Sequence, residues 1–257
     1  MAPLTRRPRR ETIRKLGAML AIALLSACAT SGPNHVYLIT ATRPAIQDLG
    51  TAAGTIPGIL APGEQALGLA YDFNTDHLFV RVTPAQVIRV IERPSGKILR
   101  DMALPAELRT ARPADLAIRS SDRHLFALHP DGKSVVELTL FGEFVRRIEL
   151  PGLDTSLGGL AFDQKNSRLL ALTATAPARV GAVDPEGKVT YYVTLAAAVT
   201  PTSLGYDSDA QHFFVPLADA RGIGEFDAAG KFVTAHPVDG QAVTAIDAGP
   251  RSFVRMF

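Results

Sequence analysis

The segment Gly68-Leu69-Ala70-Tyr71-Asp72 belongs to a pattern that recurs along the chain and decides the fold. Five copies keep a small residue in their second position, and their starts are 47, 44, 44 and 40 residues apart. The copies are Leu69-Ala70-Tyr71-Asp72, Leu116-Ala117-Ile118-Arg119, Leu160-Ala161-Phe162-Asp163, Leu204-Gly205-Tyr206-Asp207 and Thr244-Ala245-Ile246-Asp247. In each copy a large apolar residue follows the fourth position by six residues, as Leu78 does in the first. A spacing kept five times indicates an internal structural repeat.

Each repeat unit divides into four short apolar runs separated by turns. In the first unit these runs are Gly68 to Tyr71, Leu78 to Val82, Val87 to Glu92 and Ile98 to Leu104. A turn glycine such as Gly96 falls 23 or 24 residues after the fourth position in four units, which indicates a repeated hairpin. Four strands in each unit of about 40 to 45 residues are typical of a β-propeller blade. We therefore expect an all-β fold, a five-bladed β-propeller of four-stranded blades.

The two ends of the chain are expected to complete one blade together. The fifth unit ends with Phe253 to Phe257, which matches a second strand, and Val36 to Ile46 aligns with the third and fourth strands around Ile88 to Ile98. N-terminal strands would then complete the C-terminal blade and close the ring. Closure removes the exposed sheet edges that an open solenoid, the structural alternative, would leave. The predicted propeller domain covers residues 35–257.

Stretches such as Gly68-Leu69-Ala70-Tyr71-Asp72 and Asp76-His77-Leu78-Phe79-Val80 resemble the YVTN and NHL types of propeller repeat. The resemblance covers nearly all of the chain after its N-terminal segment. It implies the propeller architecture. It does not single out one activity, because such propellers serve as lactonases, as lyases and, most often, as partner-binding platforms. No catalytic signature of the enzymatic members is recognisable, so the resemblance assigns no functional residue.

The N-terminal segment carries a second resemblance, because Leu25-Ser26-Ala27-Cys28 is similar to the lipobox of bacterial lipoproteins. Six basic residues precede an apolar stretch of 12 residues that ends at Ala27. A bilayer-spanning helix needs about 20 residues, so this length is typical of a signal peptide. We predict a cleaved signal peptide over residues 1–27, lipidation of Cys28, which is the chain's only cysteine, and a short tether over residues 28–34.

This resemblance implies a location in the bacterial cell envelope, with the membrane as a partner through the lipid anchor. Ala29 follows the cysteine where an aspartate would be expected for retention, which resembles the outer-membrane sorting rule. The prediction is therefore an outer-membrane lipoprotein that faces the periplasm. An uncleaved N-terminal anchor and export by the twin-arginine route, through Arg9-Arg10, stay as alternatives.

The charge distribution gives no case for a nucleic-acid partner. The chain has 27 Lys and Arg against 25 Asp and Glu, but six of the basic residues and only one acid, Glu11, lie within residues 1–27. The remainder has 21 basic and 24 acidic side chains, a formal net charge of −3. The basic excess therefore belongs to the export signal, and we predict no nucleic-acid binding.

Two recurring polar positions are expected to be structural. An aspartate ends the repeat pattern at Asp72, Asp163, Asp207 and Asp247, where it can cap the turn to the second strand. The residue directly before the second strand is histidine at His77, His124 and His212, and we expect solvated turn residues there. The sequence predicts no cofactor and no metal site.

Candidate binding residues lie in connections that differ from their counterparts. Asp115 is the single carboxylate at the start of an innermost strand, and His129-Pro130-Asp131-Gly132-Lys133 concentrates polar groups between a second and a third strand. A long apolar connection between Gly50 and Leu67 contains Ile56, Ile59 and Leu60. These apolar residues either dock a partner or lipid head groups or fold over the channel mouth. Asp131 and Lys133 also fit an ordinary Asp-Gly turn.

Two functions of different classes fit these observations. The preferred one is a lipid-anchored, non-catalytic binding module for an envelope protein or peptidoglycan. The alternative is a lactonase-like hydrolase or lyase that uses Asp115, His129 and Asp131 at the channel mouth. Because the entering strand is expected to be a third strand, we expect the tether on the face with the second-to-third strand connections, and that face near the membrane.

Overall fold

The computed structural model describes residues 34–50, 54–109, 114–219, 222–238 and 242–250. Within these ranges the chain forms twenty β-strands in five four-stranded antiparallel sheets and one short 3-10 helix, Ala106–Leu108. The predicted all-β fold with five blades of four strands is confirmed. Residues 1–33, which include the predicted signal peptide and Cys28, lie outside the described residues. No helix in the described ranges has the length and apolar character needed to cross a membrane.

Four blades are built from consecutive strands. Blade 1 consists of β4 (Gln65–Asp72), β5 (His77–Thr83), β6 (Val87–Glu92) and β7 (Lys97–Ala103). Blade 2 consists of β8 (Leu116–Arg119), β9 (His124–Leu128), β10 (Ser134–Thr139) and β11 (Phe144–Glu149). Blade 3 consists of β12 (Leu157–Asp163), β13 (Arg168–Thr173), β14 (Arg179–Val183) and β15 (Val189–Thr194). Blade 4 consists of β16 (Gly205–Asp207), β17 (His212–Pro216), β18 (Gly222–Phe226) and β19 (Phe232–Pro237).

The closing blade joins the two ends of the described chain, in the order β20 (Val243–Gly249), β1 (His35–Thr40), β2 (Ile46–Asp48) and β3 (Gly54–Ile56). N-terminal strands therefore complete the C-terminal blade, as predicted. The predicted division of strands is wrong, however. β1 pairs directly with β20, Leu38 opposite Ile246, so it is the second strand and not the third. The predicted second strand, Phe253 to Phe257, lies outside the described residues.

This pairing also reverses the expected entry of the chain. Neighbouring strands run in opposite directions, so the first-to-second and third-to-fourth connections share one face, which we call the turn face. It carries residues 73–76, 120–123, 164–167, 208–211, 93–96, 140–143, 184–188 and 227–231. The other connections form the loop face, which carries residues 41–45, 57–64, 84–86, 104–109, 114–115, 129–133, 150–156, 174–178, 195–204, 217–219, 238 and 242. A second strand begins on the turn face, and the Asn34 amide accordingly lies 2.7 Å from both carboxylate oxygens of Asp207.

Apolar packing between neighbouring blades holds the ring together. The innermost strands β4, β8, β12, β16 and β20 each contact the next, and β20 contacts β4, which closes the ring. Five buried apolar clusters lie one at each blade interface. The small second residue of the repeat belongs to these interfaces. Ala161, for example, is fully buried between blades 3 and 4.

Close approach of the innermost strands explains two glycines. A Cβ on Gly68 would lie 2.5 Å from the Ala114 carbonyl oxygen of blade 2, and one on Gly159 would lie 2.9 Å from the Leu204 nitrogen of blade 4. Both distances are shorter than side-chain atoms tolerate, so a larger residue would push the inner strands apart. The predicted turn glycines are confirmed as third-to-fourth turns, for example Gly96 with a φ of 69°.

Candidate functional site

The centre of the ring is occupied by the side chain of Asp115. This residue is fully buried just before β8, and its carboxylate reaches across to two other blades. Oδ2 accepts hydrogen bonds from the backbone N–H groups of Leu160 (2.9 Å) and Leu204 (3.0 Å), and Oδ1 accepts one from the Ser203 hydroxyl (2.9 Å). Burial raises the pKa of Asp115 to about 7, although the hydrogen bonds from Leu160, Ser203 and Leu204 oppose the rise.

Ser203 and Asp247 extend this buried polar group. The Ser203 hydroxyl oxygen also accepts a hydrogen bond from the Ile246 N–H at 2.9 Å, which links blade 4 to the closing blade. The carboxylate of Asp247 accepts one from the Tyr71 N–H of blade 1 at 2.6 Å. Burial raises the pKa of Asp247 well above its usual value, and the charge of Asp115 adds to the rise. The axis is thus filled by groups that tie all five blades together.

Asp247 therefore departs from the predicted turn role, whereas the other three aspartates have it. Asp72 accepts from the Asn74 N–H and the Thr75 hydroxyl, at 3.2 and 2.6 Å. Asp163 and Asp207 make the equivalent contacts in blades 3 and 4, with the N–H groups of Asn166, Asp209 and Ala210. The difference follows from β20, which continues to Gly249, so that Asp247 lies inside a strand.

The predicted loop at His129 lies on the loop face, where its side chains form a cluster of polar contacts around Asp131. His129 Nδ1 lies 3.0 Å from Asp131 Oδ2, and Arg147 donates to the same oxygen at 2.8 Å. Asp131 also accepts from the Lys133 N–H at 2.7 Å and from the Ser134 hydroxyl. Burial would raise the pKa of Asp131, but these hydrogen bonds, with the nearby His129, hold it below its usual value. The Lys133 side chain is exposed.

Asp115 does not share hydrogen bonds with this cluster. Its carboxylate bonds to blades 3 and 4, whereas His129 and Asp131 bond to each other and to Arg147 of β11. The structure therefore does not join Asp115, His129 and Asp131 in one hydrogen-bonded group. Among the described residues, no group of three or more His, Cys, Asp or Glu side chains is placed to hold a metal ion.

The long apolar connection is shorter than the sequence suggested. Ile56 ends β3, the outermost strand of the closing blade, and β4 begins at Gln65, so the connection covers residues 57–64. Ile59 is fully buried against the core between the closing blade and blade 1, where Ile56 and Leu60 pack around it. Of the two arrangements expected for these apolar residues, Ile59 adopts the one in which the connection folds over the domain and does not expose it to a partner.

A buried arginine fastens this connection to blade 1. Arg89 of β6 donates to the Ile59 carbonyl oxygen at 2.8 Å and to Glu64 at 2.6 Å, and it also binds Asp101 of β7 at 2.8 Å. The Ile59 N–H donates to the Pro44 carbonyl oxygen at 3.2 Å. The hydrogen bond from Arg89 holds the pKa of Glu64 below its usual value. Residues 57–64 are thus tied on both sides.

A cleft of about 260 Å³ lies between this fastened connection and the loop that joins β1 to β2. Its walls combine apolar and charged groups: Ala41, Thr42, Arg43, Pro44, Leu60, Ala61, Pro62, Gly63 and Glu64 line it. Both walls belong to the loop face. Because Arg89 and the Pro44 carbonyl hold one wall in place, the cleft is preformed. It is the site that the geometry of the loop face supports best.

Sequence reasoning missed a set of histidine–carboxylate pairs on the turn face. In the closing blade, too, the first residue of the second strand is histidine. In three blades this histidine contacts the carboxylate of the residue 13 positions later. The pairs are His35–Asp48 (2.5 Å), His124–Glu137 (2.6 Å) and His212–Glu225 (2.5 Å). The spacing of 13 residues between histidine and carboxylate is visible in the sequence and could have indicated these pairs. His124 and His212 therefore contact carboxylates, which corrects the role of solvated turn residues that we expected for them.

A second cavity, of about 180 Å³, lies on the turn face between the closing blade and blade 1. Tyr37 lines it together with Asp48, Thr55 and Arg93. The His35 ring stacks on Tyr37 with a centroid distance of 5.2 Å. Burial raises the pKa of the Tyr37 hydroxyl far above its ordinary range. The cavity sits beside the point where the described chain begins.

Comparison with solved structures finds propeller-like neighbours. A chain of the nidogen/laminin complex matches with a TM-score of 0.60 and 12% identity over 84% of this chain and 98% of its own. A protein of unknown function from Bacteroides caccae matches with a TM-score of 0.48 and 16% identity, over 80% of this chain and 74% of its own. Streptogramin B lyase matches with a TM-score of 0.44 and 17% identity, over 80% of this chain and 59% of its own.

At these identities a structural likeness establishes a shared fold and nothing about activity. The first of the three supports the propeller fold, and the other two, with TM-scores below 0.5, support no conclusion of their own. No family model matches the chain, and no curated protein matches it in sequence.

Proposed function

We propose that this protein is a lipid-anchored, non-catalytic binding module of the bacterial cell envelope that engages a protein through the cleft on its loop face. The observation that carries the proposal is that cleft, whose wall at residues 57–64 is held by Arg89 and by the Pro44 carbonyl. A preformed wall lowers the conformational entropy lost on binding. Loops on a rigid propeller are ordinary places for recognition.

A polypeptide partner fits the cleft better than peptidoglycan does. Leu60, Pro44 and Pro62 supply apolar walls, whereas the polar side chains are limited to Thr42, Arg43 and Glu64. Glycans are bound through many hydrogen bonds and exposed aromatic platforms. The large exposed apolar side chains of the described residues lie on the outermost strands and in one turn of the turn face, and the loop-face connections carry none. We therefore favour an envelope protein over the cell wall.

Lipid attachment at Cys28 would decide which face of the propeller lies near the membrane and which can bind a partner. Asn34 lies at the turn face, beside Asp207. The five residues Ala29 to Pro33 reach at most about 18 Å even when extended. A lipid on Cys28 would therefore hold the turn face, not the loop face, near the bilayer. The cleft would point away from the membrane, which is the reverse of the orientation expected from the sequence.

Anchoring and binding in the cleft are tested separately. Intact mass measurement of the protein purified from membranes should show a chain that begins at a lipid-modified Cys28, and Cys28→Ser should move the protein out of the membrane fraction. A chain with an unmodified thiol would contradict anchoring.

For the cleft, Ala61→Tyr fills the space, and Ala106→Tyr is the matched control. Ala106 is exposed on the same face but outside the cleft. Proteins crosslinked to the anchored domain in cells should be depleted at least roughly tenfold by Ala61→Tyr and not by Ala106→Tyr, as expected for loss of a central contact. Equal recovery with both variants, or recovery of peptidoglycan fragments alone, would contradict a protein-binding cleft.

A further inference from the structure

Large apolar side chains are exposed where the outermost strands begin. Six of them form what we call the apolar rim: Ile98, Phe141, Phe144, Val145, Phe232 and Val233. Leu99 and Tyr192 are also exposed, further along β7 and β15. Phe141 is 73% exposed in the third-to-fourth turn of blade 2, and Phe144 is 55% exposed. Scattered exposed apolar residues are ordinary on protein surfaces, but six that share one end of three blades indicate an interaction surface.

The rim lies at the turn face because every fourth strand begins there. Phe144 and Val145 are the first two residues of β11, and Phe232 and Val233 are the first two of β19. Ile98 is the second residue of β7. β7 and β11 carry exposed carboxylates where they approach the loop face.

That polar end is clearest in blades 1 and 2. Asp101 in β7 and Glu149 in β11 are exposed near the loop-face ends of their strands. In β7 and β11, exposed side chains therefore change from apolar near the turn face to charged near the loop face.

Lysine amino groups accompany the rim. Lys97, Lys188 and Lys231 are exposed at the third-to-fourth turns of blades 1, 3 and 4. Carboxylates in two of these turns cap backbone N–H groups: Asp184 accepts from the Lys188 N–H at 2.8 Å and Asp227 from the Lys231 N–H at 3.0 Å. Glu143 and Glu186 are also exposed in third-to-fourth turns, so the apolar side chains, and not an excess of positive charge, suit the interfacial region of a bilayer.

We propose that the apolar rim is a bilayer-docking surface, on which the propeller lies with its turn face against the membrane. This inference rests on the proposed lipid anchor, because the described chain begins at Asn34 on the same face. The rim residues lie at, or just before, the start of the outermost strand in three of the five blades. An occupant that contacts all of them must be flat and wider than the propeller, which describes a lipid bilayer and not a partner protein.

The test uses the lipidated protein in vesicles of phosphatidylethanolamine and phosphatidylglycerol. Cys28 is the single cysteine and is blocked once lipidated, so an introduced cysteine carries the only thiol-reactive fluorophore. Phe141→Cys and Phe232→Cys place the probe on the rim. Ala103→Cys, exposed at the loop-face end of β7, is the matched control.

Brominated lipids quench fluorophores that reach the acyl boundary, where interfacial side chains sit about 5–10 Å deep. Both rim probes should lose roughly half of their fluorescence, and the Ala103→Cys probe should lose none. Lipidated protein with unquenched rim probes would overturn the docking surface while leaving the anchor intact. An unmodified Cys28 together with no vesicle binding would overturn both proposals.

Discussion

At the residue scale, Asp115 is the side chain on which the centre of the ring depends. Its two carboxylate oxygens accept three hydrogen bonds from groups in blades 3 and 4, and all three partners are donors. Removing this acceptor would leave the buried backbone N–H groups of Leu160 and Leu204 unsatisfied. Asp115 thus acts as a structural link between blades.

At pH 5, Asp115→Ala should lower the free energy of unfolding by about 2–4 kcal/mol, because the buried N–H groups of Leu160 and Leu204 would lose their acceptor. Asp209→Ala serves as the control, since Asp209 is exposed in the turn between β16 and β17. Urea unfolding of the two variants measures the difference. Equal stability of Asp115→Ala and the wild type would contradict the placement of Asp115 among donors.

The raised pKa of Asp115, about 7, also predicts a pH dependence. Between about pH 4 and pH 7 the folded state keeps the proton that the unfolded state has lost, so stability falls as the pH rises through this range and levels off above it. From pH 5 to pH 8 the wild type should lose roughly 3 kcal/mol more than Asp115→Asn does. Parallel unfolding curves for both proteins at the two pH values would show that Asp115 does not titrate there.

The role of Asp115 could not be predicted from the sequence, although its position as the one carboxylate in the ring could. Its partners Leu160 and Leu204 lie 45 and 89 residues further along the chain, and only the closed ring brings them together. The histidine–carboxylate pairs could have been predicted from the sequence, because their spacing is the same in three blades. His35 was overlooked there because the strand that it begins was assigned to the wrong position.

At the element scale, the repeat pattern predicted four strands in each of blades 1 to 4, and it predicted the bounds of those in blade 1 closely. Val87–Glu92 is observed with the predicted bounds, and the neighbouring strands differ by a few residues at their ends. The closing blade was predicted less well because its strands have no fixed alignment to the repeat. Val36 to Ile46 resembles a third and fourth strand, but hydrogen bonding to β20 makes β1 the second.

The blade interfaces give a prediction of their own. Ala161 is fully buried between blades 3 and 4, so Ala161→Phe should destabilise the protein by about 1–3 kcal/mol through overpacking. Ala106→Phe, at an exposed site, controls for the added ring. The melting temperature of Ala161→Phe should be clearly lower than that of the control. An unchanged melting temperature would show that the interface has room for the ring.

At the scale of the whole molecule, the two faces of the ring have different characters. The turn face holds the start of the described chain at Asn34 and the apolar rim, and the loop face holds the cleft near Leu60. One revised detail, β1 as the second strand, reverses the orientation that the sequence suggested. We infer an anchored propeller that rests on its turn face and offers its loop face to a protein partner.

Photo-crosslinking in intact cells tests this orientation and the binding function together. A photoreactive amino acid replaces Thr42, exposed in the cleft, or Ser95, exposed in a turn of the turn face. The account predicts discrete protein adducts from Thr42 that are lost with Ala61→Tyr, and phospholipid adducts from Ser95. Lipid adducts from Thr42 together with protein adducts from Ser95 would contradict it.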